Sequence, residues 1–277
     1  MSKGVDFVLR PFEGLPGETD LVALREVVPA ATATARTTAE LGARDVVLAT
    51  VLPMAWPALH RGDGAVMVGL QQNAGSGDAS RDLAVALLAA LDAPVGTPVQ
   101  HLGPIEPGPR LQDVLDLDAP FEVTVHEGFD FWTAAGVELT QDMRDSLDRM
   151  NESVVPTARL AAAPSAYWAR MGDKEFLRWA LPHDEDAFLD ALARLHARRE
   201  SGLGPQGRDG RYVGAFRSCG IVVPVWDLAP GTEPEMVEEP LAELAARLEG
   251  SLAVTEPLDA TQRRARAGLV ARQLTLR

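Results

Sequence analysis

The stretch YWARMGDKEFLRW, at Tyr167–Trp179, decides the fold because its pattern is that of two short strands joined by a turn. An apolar stripe at helical spacing follows it at Phe188–Leu195. The same order recurs further along the chain, in YVGAFRSCGIVVPVW at Tyr212–Trp226 and in the apolar stripe of Leu241–Leu248. The sequence therefore predicts a strand–strand–helix (ββα) unit that occurs twice.

Repeated ββα units predict an α+β protein in which antiparallel hairpins carry helices packed on one face. The two similar units span 166–199 and 211–250. A third and more distant unit is predicted at 45–92, where a strand at 45–59 and a returning strand at 65–70 precede a helix. Pro53 and Pro57 each remove a ladder donor, so the first strand is expected to be an edge strand or to end early. If the units are copies of each other, the two C-terminal hairpins should superpose.

A mostly polar helix predicted at 140–151 separates two halves of the chain. The first half, 1–135, holds the unit at 45–92 and a strand region at 121–132. The second half, 136–277, holds the two similar units and ends in an arginine-rich helix. The alternative is that both halves form a single compact domain.

The composition limits the partners and the compartment. A net charge of −14 repels phosphate backbones, so nucleic acid is an unfavourable partner. The single cysteine, Cys219, excludes an internal disulfide and favours the cytoplasm. The most apolar run, Leu83–Leu91, is nine residues long, against the roughly 20 that a membrane-spanning helix needs. We therefore predict a cytoplasmic protein with no membrane partner, no cofactor and no metal site.

One candidate site lies at the end of the strand predicted around residue 125. His126 and Asp130 flank Gly128, and an imidazole beside a carboxylate can act as a general base or bind a metal. Adjacent strand residues point to opposite faces, however, so His126 and Glu127 converge only if the strand bulges. The alternative is a solvated strand end, with Trp132 as a neighbouring binding residue.

A second candidate is the glycine-bearing loop at 75–82, which runs into a helix. Backbone N–H groups at such a helix start can bind an anion, and Arg81 would support that role. The loop matches neither a Walker pattern nor a dinucleotide fingerprint. Asp78 and Asp82 would also repel phosphate, so an ordinary capped helix is the alternative.

Two tryptophans occupy corresponding positions in the similar units, because Trp179 and Trp226 each end a second strand. They either seal the sheet against its helix or line a binding groove between the units. Both interpretations are kept at this point.

The final helix, capped by Asp259 or Thr261, is rich in arginine. Such a cluster could bind RNA or the ribosome, or pair with the acidic helix predicted at 235–249. The arginines concerned are Arg263, Arg264, Arg266, Arg272 and Arg277.

Several segments together resemble an actinobacterial family whose domain has no known function. They are Arg10–Glu18, Leu24–Ala33, Gly77–Leu83, Val223–Leu228 and Arg264–Leu269. Members of that family are sometimes labelled SecA-like or topoisomerase-like. This chain has neither the cysteine-rich nor the basic N-terminal extension that we connect with those labels, so we expect neither to apply. The resemblance implies no catalytic residue.

These patterns lead to three hypotheses on function. The first is a non-enzymatic, cytoplasmic binding or adaptor protein that holds a partner protein through a groove or a sheet face. The second is an enzyme with a site near His126 and Asp130 or at the 75–82 loop. The third is an RNA- or ribosome-associated protein that acts through the C-terminal arginines.

Overall fold

The computed structural model describes residues 6–72, 75–134, 136, 140–207 and 209–271. In this part of the chain the protein is mixed α+β, as predicted, with one sheet of six strands and one of five.

The chain divides into two compact units, Met1–Val154 and Val155–Arg277. The division follows the polar helix instead of preceding it at 135/136. The physical reason is that this helix packs on the first unit. Its Leu147 is buried against Ala30 and Phe129, and the Asn151 side chain accepts a hydrogen bond from the Phe129 backbone N–H at 2.8 Å.

The first unit contains α1 to α4 and β1 to β6. Their bounds are α1 Glu18–Glu26, β1 Ala31–Arg36, β2 Asp45–Ala49, β3 Ala58–His60, β4 Val66–Gly69, α2 Ala79–Asp92, β5 Thr97–Val99, α3 Leu111–Val114, β6 Glu122–Val125 and α4 Gln141–Asn151.

The sheet of the first unit has the strand order β5-β3-β4-β2-β1-β6. The strand predicted at 45–59 ends early, at Ala49, as its prolines indicate; a 3₁₀ turn at Pro53–Ala55 follows, and the rest of the segment forms a second strand, β3. The predicted returning strand, β4, therefore pairs antiparallel with β3 and parallel with β2. The segment 45–92 is not the simple ββα unit that its sequence suggests.

A buried carboxylate fixes the start of α2. Asp78 is fully buried (0% exposed), and its side chain accepts a hydrogen bond from the Arg81 backbone N–H. It also accepts two hydrogen bonds from the Arg110 guanidinium, at 2.9 and 3.3 Å. Arg110 in turn donates to the carbonyl of Pro11 at 2.8 Å, so Asp78 connects α2, α3 and the N-terminal segment.

The second unit contains the remaining elements. They are β7 Thr157–Leu160, β8 Ala166–Met171, β9 Lys174–Trp179, α5 Glu185–Ala197, β10 Gly210–Ser218, β11 Ile221–Leu228, α6 Pro234–Leu252 and α7 Ala260–Val270. The hairpin–helix order is thus present at both predicted places. That the two segments are copies of one unit stays a prediction.

The sheet of the second unit is antiparallel, with the order β10-β11-β9-β8-β7. One row of paired residues crosses all of its strands on the face that α5, α6 and α7 cover, and aromatic side chains supply most of its apolar surface. The row consists of Ala158, Trp168, Leu177, Trp226 and Tyr212.

The hairpins β8–β9 and β10–β11, called the first and second hairpin, have two-residue turns. In the second hairpin the turn residues Cys219 and Gly220 have positive φ angles of 50° and 73°. A type I′ turn requires this combination, and its twist matches that of the flanking strands. In the first hairpin Gly172 supplies the left-handed residue, with φ 65°. Tight turns of this kind fix the register of each strand pair.

We predict that Asp78→Ala lowers the free energy of unfolding by about 3 kcal/mol, because it leaves Arg110 without its buried counter-charge. Urea denaturation measures the change. The matched control is Asp45→Ala. The Asp45 side chain is 75% exposed and pairs with Arg36. Such an exposed pair contributes little to stability, because water screens its charges. Equal effects of the two substitutions would contradict the central role of Asp78.

Candidate functional site

The first unit contains a cleft of about 660 Å³, a size typical of ligand sites. We call it the cleft throughout. Its lining residues are Met54, Ala55, Trp56, Pro57, Gln72, Gly75, Ser76, Gln100, His101, Leu102, Gly103, Pro104 and Ile105.

The sheet topology explains why these segments meet. β3 lies between β4 and β5 and is antiparallel to both, with Ala58 paired to Val68 and to Val99. The residues that precede β3 therefore lie at the same end of the sheet as those that follow β4 and β5. Connections at strand ends commonly form ligand sites, because a rigid sheet positions them.

The turn before β3 holds an unusual backbone conformation. Met54 and Ala55 both have φ 54°, in the left-handed region that residues other than glycine rarely adopt. Leu52 and Trp56 are extended, as expected of residues that precede prolines. The side chain of Met54 stands out from the turn, 84% exposed, at the rim of the cleft. Backbone strain of this kind costs about 1–3 kcal/mol per residue and clusters at functional sites.

The indole group of Trp56 differs from those of the other tryptophans. The chain has five tryptophans, and four donate their indole N–H to a backbone carbonyl. Trp56 has no such partner among the described residues, although it packs on the core residues Leu52 and Met67. The four satisfied pairs are Trp132 to Val51 at 2.8 Å, and Trp168 to Thr232, Trp179 to Pro164 and Trp226 to Ser201, each at 2.9 Å.

The residues that line the cleft include no Asp, Glu, Lys or Arg, in a chain that is 24% charged. The polar lining consists mainly of amides and one imidazole. Gln72 donates to the carbonyl of Gly69 at 3.0 Å, whereas the side chains of Gln100 and His101 bond to none of the described residues. The cleft therefore presents an apolar wall with a few uncharged hydrogen-bonding groups.

The 75–82 loop borders the cleft, but its helix start is already occupied by the protein's own carboxylates. Asp82 accepts hydrogen bonds from the backbone N–H of Ser76 and from its hydroxyl at 2.6 Å. A Cβ at Gly75 would lie 2.8 Å from the Asp82 carboxylate, so a larger residue there would displace that side chain. Asp78 caps the helix and Asp82 binds the loop residue Ser76, so two of the protein's own carboxylates occupy the region where an anion would bind.

Arg81, the candidate anion-binding residue, faces this internal acid. Its Nε lies 3.7 Å from the Asp78 carboxylate and makes no hydrogen bond with the described residues. Arg81 does not line the cleft. Its position supports the capped-helix interpretation of the loop.

The structure brings His126, Asp130 and Trp132 into one region, where no hydrogen bond joins their side chains to each other. The imidazole of His126 bonds to the hydroxyl of Thr32 at 2.8 Å and lies 4.8 Å from the ring of Phe131. Burial lowers the pKa of His126, and the nearby charge of Asp130 opposes this shift. Asp130 is exposed, and Trp132 stacks on Phe129 while it donates to Val51. None of the three candidates lines the cleft.

Trp179 and Trp226 are both buried in the core of the second unit. Their rings lie 6.3 Å apart and their indole groups are satisfied internally. They seal the sheet against its helices, so neither is available to line a groove.

The final helix begins at Asp259, which accepts from two backbone N–H groups. Arg266 binds Asp190 at 2.6 Å and Asp186 at 2.5 Å. The hydrogen bond that Arg266 donates to the Asp190 carboxylate is the main reason that the pKa of Arg266 is raised. These acids belong to α5, so the predicted pairing with the helix at 235–249 is wrong for Arg266.

The other C-terminal arginines bind locally or lie beyond the described residues. Arg263 and Arg264 donate to the carbonyls of Leu258 and Ala260. Arg272 and Arg277 lie outside the described residues.

Sequence reasoning missed Trp56 as a site residue. The local signal is its place between Pro53 and Pro57, which favours a compact turn that interrupts a strand. The decisive feature, an indole N–H without an acceptor among the described residues, depends on the folded environment.

The fold is α+β, and the first unit carries a cleft whose lining residues include no Asp, Glu, Lys or Arg. The model for the family of unknown function DUF5926 matches residues 11–277, so the chain belongs to this family. No match was found among curated proteins or among solved structures.

Two further observations concern only the described part of the chain. It contains no group of three or more His, Cys, Asp or Glu side chains that could hold a metal ion. None of its helices combines the length and the apolar character needed to cross a bilayer.

We predict that His126 makes stability depend on pH. Burial keeps its folded pKa below the value of about 6.5 in the unfolded chain, so the unfolded chain takes up the proton first as the pH falls. The contribution of the neutral imidazole is complete above pH 6.5 and is lost progressively below it.

The measurement is urea denaturation of the wild type and His126→Gln between about pH 8 and pH 5. The wild type should lose more stability than the variant toward the acidic end, because glutamine does not titrate. A constant difference between the two proteins over this range would contradict the prediction.

Proposed function

We propose that this protein is a non-enzymatic binding or adaptor protein of the cytoplasm, and that the cleft binds an uncharged, extended segment of a partner protein. The observation that carries the proposal is the indole N–H of Trp56, which has no acceptor among the described residues and lies in a neutral, largely apolar cleft.

The ring and the N–H of Trp56 can both contact a bound peptide. A tryptophan offers a large apolar face and one hydrogen-bond donor, which is the combination that makes it common at protein interfaces. A backbone carbonyl of a bound segment would satisfy the donor, as backbone carbonyls do for Trp132 and Trp226. The apolar side chains of Pro57, Leu102 and Ile105 provide surface for the side chains of that segment.

The neutral lining supports an uncharged partner segment. A charged side chain would lose hydration on entering the cleft and would find no opposite charge among the lining residues. Gln72 and Gln100 carry amides, which can donate to and accept from peptide groups. The acidic character of the chain outside the cleft would repel acidic partners before they bind.

The lining supports binding without a chemical step. His101 is the one histidine among these residues, and no carboxylate accompanies it. General acid–base catalysis commonly uses a second titratable group to orient or complement the first.

The other hypotheses have less support from the contacts. His126 bonds to a hydroxyl, and Asp78 and Asp82 are engaged within the protein. Arg266 is occupied by two acids. The cytoplasmic location, which the single Cys219 favours, and an actinobacterial origin remain predictions from the sequence.

The test is a peptide library displayed on phage and selected on the wild-type protein, followed by fluorescence anisotropy of the enriched peptides. We expect these peptides to be uncharged and apolar. Trp56→Phe keeps an aromatic ring and removes the donor. It should weaken binding about three- to tenfold, because one hydrogen bond contributes about 0.5–1.5 kcal/mol.

Met54→Ala and Met236→Ala form a matched pair of controls. Both remove an exposed methionine, 84% and 62% exposed, but only Met54 lines the cleft. Binding should weaken in Met54→Ala and stay unchanged in Met236→Ala. Unchanged binding in both Trp56→Phe and Met54→Ala, or enrichment of charged peptides, would refute the proposal.

A further inference from the structure

A second cavity, of about 350 Å³, lies in the second unit beside the end of α5. We call it the arginine pocket. Its lining residues are His196, Ala197, Arg199, Ser201, Gly202, Gly207, Arg211 and Tyr212. They include two arginines and no acid, in a chain whose acids outnumber its lysines and arginines by 40 to 26.

Arg199 occupies a backbone position that normally favours glycine. It follows α5 with φ 63°, and the N–H of Glu200 bonds back to the carbonyl of Leu195 at 2.9 Å, as in a helix C-cap with a left-handed residue. The guanidinium of Arg199 makes no ion pair or hydrogen bond with the described residues. Arg199 is exposed, so its guanidinium at the wall of the cavity is accessible to an anionic ligand.

The other polar groups of the pocket complement this cation. His196 and Ser201 are joined by a 2.8 Å hydrogen bond between Nδ1 and the hydroxyl. Arg211 supplies a second guanidinium, which lies 3.6 Å from the Asp227 carboxylate. A hydroxyl and arginines are the side chains that most often bind phosphate oxygens.

Two carbonyls that could repel an anion are already bonded. The indole N–H of Trp226 donates to Ser201 O at 2.9 Å, and Arg247 donates to Gly202 O at 3.0 Å. Part of the lining is bare backbone, since a Cβ at Gly202 would lie 2.7 Å from the Cα of Gly207. The pocket thus combines cationic side chains with two backbone carbonyls that already accept hydrogen bonds from Trp226 and Arg247.

We propose that the arginine pocket binds a small metabolite through a phosphate monoester group, held by Arg199 and Arg211 with the hydroxyl of Ser201. The cavity volume fits a small molecule. The net charge of −14 opposes a long polyanion such as RNA, because the rest of the surface would repel its other phosphates.

The test is isothermal titration calorimetry of the full chain with inorganic phosphate and with phenyl phosphate, at constant ionic strength maintained with chloride. We expect saturable binding of the wild type to phenyl phosphate. Arg199→Gly should bind it at least about tenfold more weakly, because a charge-assisted hydrogen bond is lost. Glycine prefers the left-handed backbone, so this variant should have an unchanged or higher thermal midpoint and its loss of binding would not reflect unfolding.

Arg198→Ala is the matched control. It removes the same charge one residue away, where Arg198 pairs with Glu200 at 2.7 Å and does not line the pocket. Its affinity for phenyl phosphate should remain within about twofold of the wild type, because surface charges are screened by salt.

Three outcomes would overturn the proposal. They are the absence of saturable binding to both phosphate probes, equal affinity in the wild type and Arg199→Gly, and equal weakening in Arg198→Ala and Arg199→Gly. If the protein binds a short single-stranded RNA but neither phosphate probe, the proposal is also wrong, and the arginines would then bind nucleic acid.

Discussion

The ion pair between the buried Asp78 and the half-buried Arg110 organises the first unit. Asp78 caps α2, while Arg110 brings α3 and the Pro11 carbonyl to the same point. A neighbouring bond from the Ser80 hydroxyl to Gln112 extends the network to the residues beside Arg110. A charge removed from water is destabilising unless a partner of opposite charge stays in place beside it. The network therefore favours one arrangement of the segments that carry these side chains. The 75–82 loop borders the cleft and contains Asp78, so the same network fixes its position.

Local patterns predicted much of the second unit and less of the first. The hairpins around Gly172 and Cys219 follow from alternating residues and tight turns, which involve neighbours in the chain. The parallel pairing of β2 with β4 depends on β3 being displaced to the outside, which the prolines at 53 and 57 indicate only in part. Pairing between strands that are not consecutive is decided by packing over the whole sheet, and no short window of sequence contains it.

The site residues were harder to predict for a related physical reason. Residue types with strong chemistry, such as His126 and Arg81, were conspicuous in the sequence, yet their contacts are with the protein itself. Trp179 and Trp226 were also conspicuous, and they lie in the core. Trp56 and Arg199 matter because of bonds that they lack among the described residues. Whether a side chain lacks a hydrogen-bond or ion-pair partner depends on the residues that surround it in the fold, so the sequence alone does not reveal it.

The row of residues that crosses the second sheet has a consequence for the order of folding. Each hairpin closes between residues near in sequence, for example Ser218 with Ile221, so both can form early and independently. Leu177 pairs with Trp226, and the segment between them contains α5 and β10. Closing this long loop costs more conformational entropy than closing either hairpin turn. Joining of the two hairpins at the β9–β11 seam should therefore be the slow step, and α5 should complete its packing in the same step.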